Sequence, residues 1–275
     1  MNNFLLRTIS GTLFVVSIVG SLILGRISFL IVFLGLMIAS MYEFYSLSLR
    51  ARIRPQFLFG ILLGITIFLW SYFYASGRIE PITIFGIFPL LVSVYILELY
   101  RNHQRPFHNI AYTLIGVFYI ALPFSLLNFI VLNGSSFRLS YSYEILLGYF
   151  ILIWSNDTGA YLFGMSLGKH RLFPRISPKK SWEGFIGGIL FTMLVSWIIS
   201  MFFYEISIHH WIAIGLISAI MGVFGDLVES MLKRSLGVKD SGKFLPGHGG
   251  LLDRFDAVLL SIPVVYAYLE VMMLV

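Results

Sequence analysis

Residues 211–234 read WIAIGLISAIMGVFGDLVESMLKR, and this stretch decides both the class of fold and where its chemistry lies. It is apolar as far as Met231 except at Asp226 and Glu229, and it ends on Lys233 and Arg234. A helix rises about 1.5 Å per residue and a hydrocarbon core is about 30 Å thick, so an apolar run of this length reads as a membrane span, expected over 210–233. Carboxylates in such a span are costly, which ties them to function by default. Their i, i+3 spacing sets both on one helix face. One reading is an internal salt bridge with Lys233 near the inner interface; the other is a metal-binding face. Two acids behind Gly225 are more than one lysine needs.

The rest of the chain is built in the same way. Of its 275 residues 58% are hydrophobic and only 12% charged, against about a quarter charged in soluble domains. The mean hydropathy is +0.89. Apolar runs lie near 8–25, 28–46, 57–76, 80–99, 108–133, 144–165, 184–204, 210–233 and 251–274. The expected fold is therefore an all-α, polytopic integral membrane protein with about nine transmembrane helices. A single helix over 8–46 would measure about 58 Å, far beyond the bilayer core, so two spans joined by a tight turn at Arg26 fit better. The start of the chain resembles a signal peptide superficially. No small-x-small cleavage site stands out, so an uncleaved first span is expected. With no cysteine in the sequence, disulfide and thiolate chemistry are excluded.

Charge bias sets an orientation. With the N-terminus cytoplasmic, sixteen of the nineteen basic residues fall on the inner side, leaving only Arg26, Arg78 and Arg138 outside. The positive-inside rule favours this arrangement. The net charge of +6 then belongs beside anionic headgroups, not to nucleic acid. Residues 1–150 hold no aspartate and four glutamates, Glu43, Glu80, Glu98 and Glu144. Most of these sit near span ends, where a carboxylate can reach water. This region reads as a transmembrane scaffold. Residues 151–275 read as the catalytic transmembrane region, with cytoplasmic loops 166–183 and 234–250.

Charge is concentrated beyond that boundary. Residues 225–256 hold four of the five aspartates, Asp226, Asp240, Asp253 and Asp256. Asp253 and Asp256 repeat the i, i+3 spacing at the start of the last span, after the turn Pro246-Gly247-His248-Gly249-Gly250. One of them can simply cap the helix. Two that flank Arg254 can instead hold a divalent cation while the helix end and the arginine meet phosphate. Hard oxygen ligands favour magnesium. The glycine turn lets backbone approach a ligand closely, and His248 is either a phosphate donor or a turn residue. In the loop GKHRLFPRISPKKSWEG, residues 168–184, Lys179 and Lys180 are interfacial anchors or polyphosphate ligands. Ser177, Ser181 and Glu183 add hydrogen-bonding groups there. Asp157 shares a helix face with Tyr161, and a buried structural hydrogen bond is its plainer role. Gly60/Gly64 and Gly184/Gly188 have small-xxx-small spacing for close helix packing, more in keeping with contacts inside the chain than with a dimer interface.

The run Ser230-Met231-Leu232-Lys233-Arg234, Lys239-Asp240, Pro246-Gly247-His248-Gly249-Gly250 and Asp253-Arg254-Phe255-Asp256 closely resembles the motif of phosphatidate cytidylyltransferases, or CDP-diacylglycerol synthases. The resemblance extends to Gly225-Asp226-Leu227, to Ser177-Pro178-Lys179-Lys180-Ser181-Trp182-Glu183-Gly184, and to Asp157-Thr158-Gly159-Ala160-Tyr161. It implies transfer of the cytidylyl group of CTP to phosphatidic acid, with CDP-diacylglycerol and pyrophosphate as products. It also implies Mg2+ with a second cation such as K+ in the acidic site, and a homodimer. On this basis Asp226 and Asp253 are expected to hold metal, with Asp256 as third ligand. Catalytic roles fall on Asp226, Asp253, Lys179, Lys180 and Arg254. Substrate contacts fall on Asp157, Ser177, Lys179, Lys180, Lys239, His248, Gly249, Gly250 and Arg254, with Lys233 and Arg234 as weaker candidates. The expected location is the inner (cytoplasmic) cell membrane, multi-pass, with the site facing the cytoplasm.

Two other readings share parts of this pattern. A polyprenol or phytol kinase, or a CDP-ether-lipid synthase, would also use CTP, but the complete DRFD-ending motif argues against the kinase. A cation-coupled transporter would place its acids on broken helices near mid-membrane, commonly within inverted repeats. Here the charges gather towards one face, beside basic loops, and no internal repeat is evident.

Overall fold

The first apolar run breaks at Gly25, as its length requires. In the computed structural model, which describes residues 3–133, 140–238, 242, 249–272 and 274, α1 (Asn3–Ile23) and α2 (Arg26–Ser48) are separate helices. Gly25 turns the chain at φ +106°, a conformation that a side chain would resist. The helices α3 (Phe57–Ala75), α4 (Ile87–Arg101), α5 (Pro106–Gly116) and α6 (Leu122–Val131) follow. A π-helical turn over Val117–Ala121 joins the last two. Pro123 lacks an N–H for the helical ladder, a usual reason for such a local adjustment. Then come α7 (Glu144–Leu167), α8 (Trp182–Ile199), α9 (Ile208–Ser235) and α10 (Leu252–Val271). Strands among the described residues are confined to two short antiparallel pairs: β1 (Leu132–Asn133) with β2 (Ser140–Tyr141), and β3 (Arg171–Phe173) with β4 (Ser177–Ser181). The fold is all-α, as expected.

Among the described residues six helical segments are long and apolar enough to cross a bilayer: Arg26–Ala51, Phe57–Ala75, Pro81–Arg101, Pro106–Val131, Trp182–Ile199 and Ile208–Ser235. A shorter apolar helix covers Thr8–Ile23. The helices α7 and α10, also read as spans from the sequence, are 24 and 20 residues long and carry Asp157 and the Asp253–Asp256 segment. The chain is a multi-pass membrane protein.

The chain forms two compact units. Met1–Tyr141 packs with Leu236–Arg254, and Ser142–Ser235 packs with Phe255–Val275. In the first, fully buried Tyr45 is the pivot of α2, α3 and α5. Its hydroxyl donates to Thr113 O at 2.8 Å, and both Gly60 and Gly116 lie against its ring, where a Cβ would clash. Gly64 rests on Met41 and Ala121. In the second unit Gly184 meets the backbone of Ala160 and Gly164, and Gly188 meets Asn156 and Ala160. Both small-residue pairs thus pack within the chain, letting helix backbones approach closely.

Two expectations change. Glu43 and Glu98 do not reach water from their span ends: they are only 6% and 4% exposed. In addition, the stretch read as the loop 166–183 carries strands of its own. It folds into the β3–β4 hairpin, with Arg171 opposite Ser181 and Phe173 opposite Ser177.

Candidate active site

The acids of α9 find their partner on α10 because Gly225 allows it. A Cβ there would run into Asp256 O and stand 3.0 Å from Ala257 Cα. With hydrogen in its place the two helices cross in contact, one residue from Asp226. One carboxylate oxygen from each of Asp226, Glu229 and Asp256 then lies within 4.8 Å of the other two. Glu229 is buried and Asp226 is 37% exposed, so the cluster has a closed side and an open side. Asp157, exposed on α7, lies within electrostatic reach of Asp256. Four acids from three helices therefore share one neighbourhood in the second unit.

Cations meet this cluster from two directions. Lys180, projected by β4, makes an ion pair with Asp226, and its Nζ lies 3.4 Å from Val223 O. Lys233 pairs with Glu229 one turn along α9. The salt bridge considered for Lys233 is therefore real, and it leaves Asp226 to Lys180. Smaller contacts orient the aspartates: Ser230 Oγ donates to Asp226 Oδ1 at 3.3 Å, and the Ala257 N–H donates to Asp256 Oδ1 at 2.7 Å.

The hairpin that delivers Lys180 is closed by its own acid. Glu183 accepts the N–H groups of Lys169 and His170 at 3.1 Å each, and its Oε1 lies 2.6 Å from His170 Nδ1. Ser181 caps α8 through Gly184 N at 3.2 Å. Along β4 Lys179 is exposed beside half-buried Lys180, with Ser177 at the start of the strand. Arg171 Nη1 donates to Lys179 O at 3.3 Å.

Asp253 and exposed Arg254 belong to the first unit, at the start of α10. Gly249 takes φ +83°, and the Gly250 N–H donates to Asp253 Oδ2 at 3.0 Å. Asp253 thus fills the helix-capping role that the sequence allowed for one aspartate of the pair. The next two amides go to a residue that sequence reasoning left in the scaffold. Glu43 Oε2 accepts Leu251 N at 2.6 Å and Leu252 N at 3.3 Å. These helix-end N–H groups, considered above as phosphate donors, are engaged by carboxylates in this structure. The only hint of Glu43 in the sequence is a carboxylate inside an apolar run. Of the remaining candidates, Arg234 is exposed at the end of α9, and Lys239 and His248 lie outside the described residues.

The donor set of Asp226, Glu229 and Asp256 is all hard oxygen, close enough to converge on one small divalent cation, and fits magnesium. Like charges this close disfavour one another's ionised form, an effect that positive charge relieves; Lys180 and Lys233 supply part of that charge, and a bound cation would add to it. Beside it stands a lysine on a basic hairpin, a suitable point charge for phosphate.

Fold and site together define a polytopic membrane protein that sets a cluster of carboxylates beside a basic hairpin. The chain belongs to the cytidylyltransferase family, whose pattern it matches over residues 5–272, and so to the nucleotidyltransferases. It is similar to proteins named phosphatidate cytidylyltransferase. That of Staphylococcus haemolyticus (strain JCSC1435) is 39% identical over 176 residues, which span 63% of each chain. That of Staphylococcus aureus (strain COL) is 38% identical over 192 residues, 69% of this chain and 70% of the relative. The family expected from residues 154–256 is therefore the family found.

Proposed function

We propose that the chain transfers the cytidylyl group of CTP to phosphatidic acid at the cytoplasmic face of the cell membrane, serving phospholipid biosynthesis. The observation that carries this reading is the meeting of Lys180, from the basic hairpin, with Asp226, in the carboxylate cluster: it joins a phosphate-binding element to a metal-binding one. A phosphate oxygen of phosphatidic acid attacks the α-phosphorus of CTP. The new P–O bond forms as the bond from the α-phosphorus to the bridging oxygen breaks, and pyrophosphate leaves with the electron pair. The attacking phosphate is already anionic near neutral pH, so no activated serine or cysteine is required.

Two anions must be brought together, and positive charge at the membrane surface favours their approach. Lys179, Lys180, Lys239 and Arg254 supply it, and Asp157, Ser177, His248, Gly249 and Gly250 complete the substrate contacts. Asp226, Glu229 and Asp256 would hold magnesium, with Asp253 the further ligand that the family resemblance implies, and a second cation such as K+ would share the acidic site. Bound magnesium supplies charge neutralisation on the triphosphate and on the developing pyrophosphate. Nine spans with a cytoplasmic N-terminus put both polar loops on one side. The proposed partners are CTP, phosphatidic acid, membrane lipid and a second copy of the chain, with no nucleic acid.

The test uses purified protein, phosphatidic acid, magnesium and CTP labelled at either the α- or the γ-phosphate. The α label is expected in lipid, with release of pyrophosphate. A γ label in lipid would identify a kinase instead. Cation uptake into liposomes with no lipid product would identify a transporter.

A further inference from the structure

Glu43 stands 208 residues before the amide it binds most closely. It lies towards the end of α2, and its surroundings are apolar on that helix: Met41, Phe44 and Tyr45 are fully buried. A carboxylate there is expensive unless its oxygens are engaged. The Oε2 atom is engaged by the N–H groups of Leu251, just before α10, and Leu252, its first residue. Gly242 lies close by, since a Cβ on it would stand 3.1 Å from Glu43 Cγ and closer to the carboxyl group. The contact therefore ties α2 to two separate points of the segment that leads into α10.

Two carboxylates divide the amides of this turn between them. Asp253 takes Gly250, and Glu43 takes Leu251 and Leu252. Asp253 caps from within, through a side chain that the reaction also needs. Glu43 caps from outside, and a negative charge at a helix N-terminus is favourable in its own right. With Leu251 and Leu252 held, the first turn of α10 is fixed against α2, and the residues that follow directly are Asp253 and Arg254.

We propose that Glu43 is a positioning residue for cytidylyl transfer, holding the first turn of α10 so that Asp253 and Arg254 face magnesium and CTP in one geometry. This rests on the reaction proposed above. A glutamine at this position keeps an oxygen acceptor and nearly the same shape, whereas alanine removes both the acceptor and the charge.

The experiment compares the parent protein with Glu43→Gln and Glu43→Ala, each in the full chain. Three quantities are read: thermal stability, kcat per folded molecule at saturating CTP, and the magnesium concentration for half-maximal activity. Hydrogen exchange of the 249–254 segment is measured as well, with and without magnesium and CTP. Glu43→Ala is expected to lower kcat about tenfold or more, in line with the cost of misplacing a reacting group. It should also raise the magnesium requirement, and Glu43→Gln should recover most of both. A cap that only stabilises the fold would lower the melting temperature but leave kcat per folded molecule and the magnesium requirement alone, which overturns the proposal.

The exchange data keep the two ideas separate. If the parent makes no CDP-diacylglycerol, the reaction is wrong. Protection of 249–254 by magnesium and CTP that is lost in Glu43→Ala would still uphold the positioning role. Equal protection in parent and Glu43→Ala, or none in either, would overturn it.

Discussion

Two buried glutamates in this protein each pair with a cation but differ in what else surrounds them, and the contrast separates architecture from chemistry. Glu98, in the first unit, is enclosed by donors: Gln56 Nε2 at 2.9 Å, Arg101 Nη1 at 2.8 Å and Asn109 Nδ2 at 2.7 Å. The same groups go on to close the backbone around them. Asn109 Oδ1 accepts Arg54 N at 2.8 Å, Thr113 Oγ1 accepts Gln56 N at 2.8 Å, and Arg101 donates to Arg54 O at 3.0 Å. This network joins α4 and α5 to the connection before α3, and every charge in it has a hydrogen-bonded partner. Glu229, in the second unit, pairs with Lys233 and is also crowded by other acids, with Asp226 and Asp256 sharing its space. A carboxylate ringed by amide and guanidinium donors is a fastening. Carboxylates pressed against one another are held at a cost, one that a bound cation would relieve.

Breaking each side of this contrast should give opposite results. The largest effect is expected at the crowded site. Asp226→Asn keeps the shape and removes a charge proposed to bind metal, and turnover should fall on the order of 10³-fold, the several kcal/mol that a metal contributes. Its melting temperature in detergent should stay near that of the parent. Near-normal activity with magnesium would remove Asp226 from the metal site.

Glu98→Ala should do the reverse. It removes the acceptor shared by Arg101 and two buried side-chain amides, at a cost of about 3 kcal/mol in stability. A lowered melting temperature should accompany a kcat per folded molecule within about threefold of the parent. A specific loss of turnover without loss of stability would put Glu98 in the chemistry and collapse the distinction.

Lys180→Ala sharpens the comparison on the active side. It removes the cation that links the β3–β4 hairpin to Asp226, and an effect of about 2 kcal/mol, or roughly thirtyfold, is expected in kcat/KM for CTP. Lys180→Arg should recover part of this loss. An unchanged kcat/KM in Lys180→Ala would reduce the contact to an interfacial ion pair.

Much of this was legible in the sequence. Apolar runs of bilayer length announced the membrane fold, because a helix in lipid satisfies its own backbone and only the side chains need to suit the solvent. That the first apolar run must break followed from its length alone. Asp226, Asp256 and Lys180 could be proposed together from their position in quoted motifs. The choice among acids could not be made that way. Glu229 was visible on the face of Asp226, yet its meeting with Asp256 depends on how closely Gly225 lets α10 approach. Asp253, expected beside Asp226, belongs to the first unit and caps Gly250. Nothing in the loop 166–183 has strong strand periodicity, so the hairpin that aims Lys180 was not evident.

By itself the sequence determined the class of solvent this protein folds in, the helical character of its spans and the residue types of its reactive region. Those properties are local: they depend on hydrophobicity summed over a bilayer thickness and on spacing along one helix. Tertiary structure alone decided which carboxylates converge, that Lys180 reaches them, and that Glu43 holds the start of α10. Those contacts join residues tens to hundreds of positions apart, and they exist only where glycines let backbones meet and where buried charges must find partners.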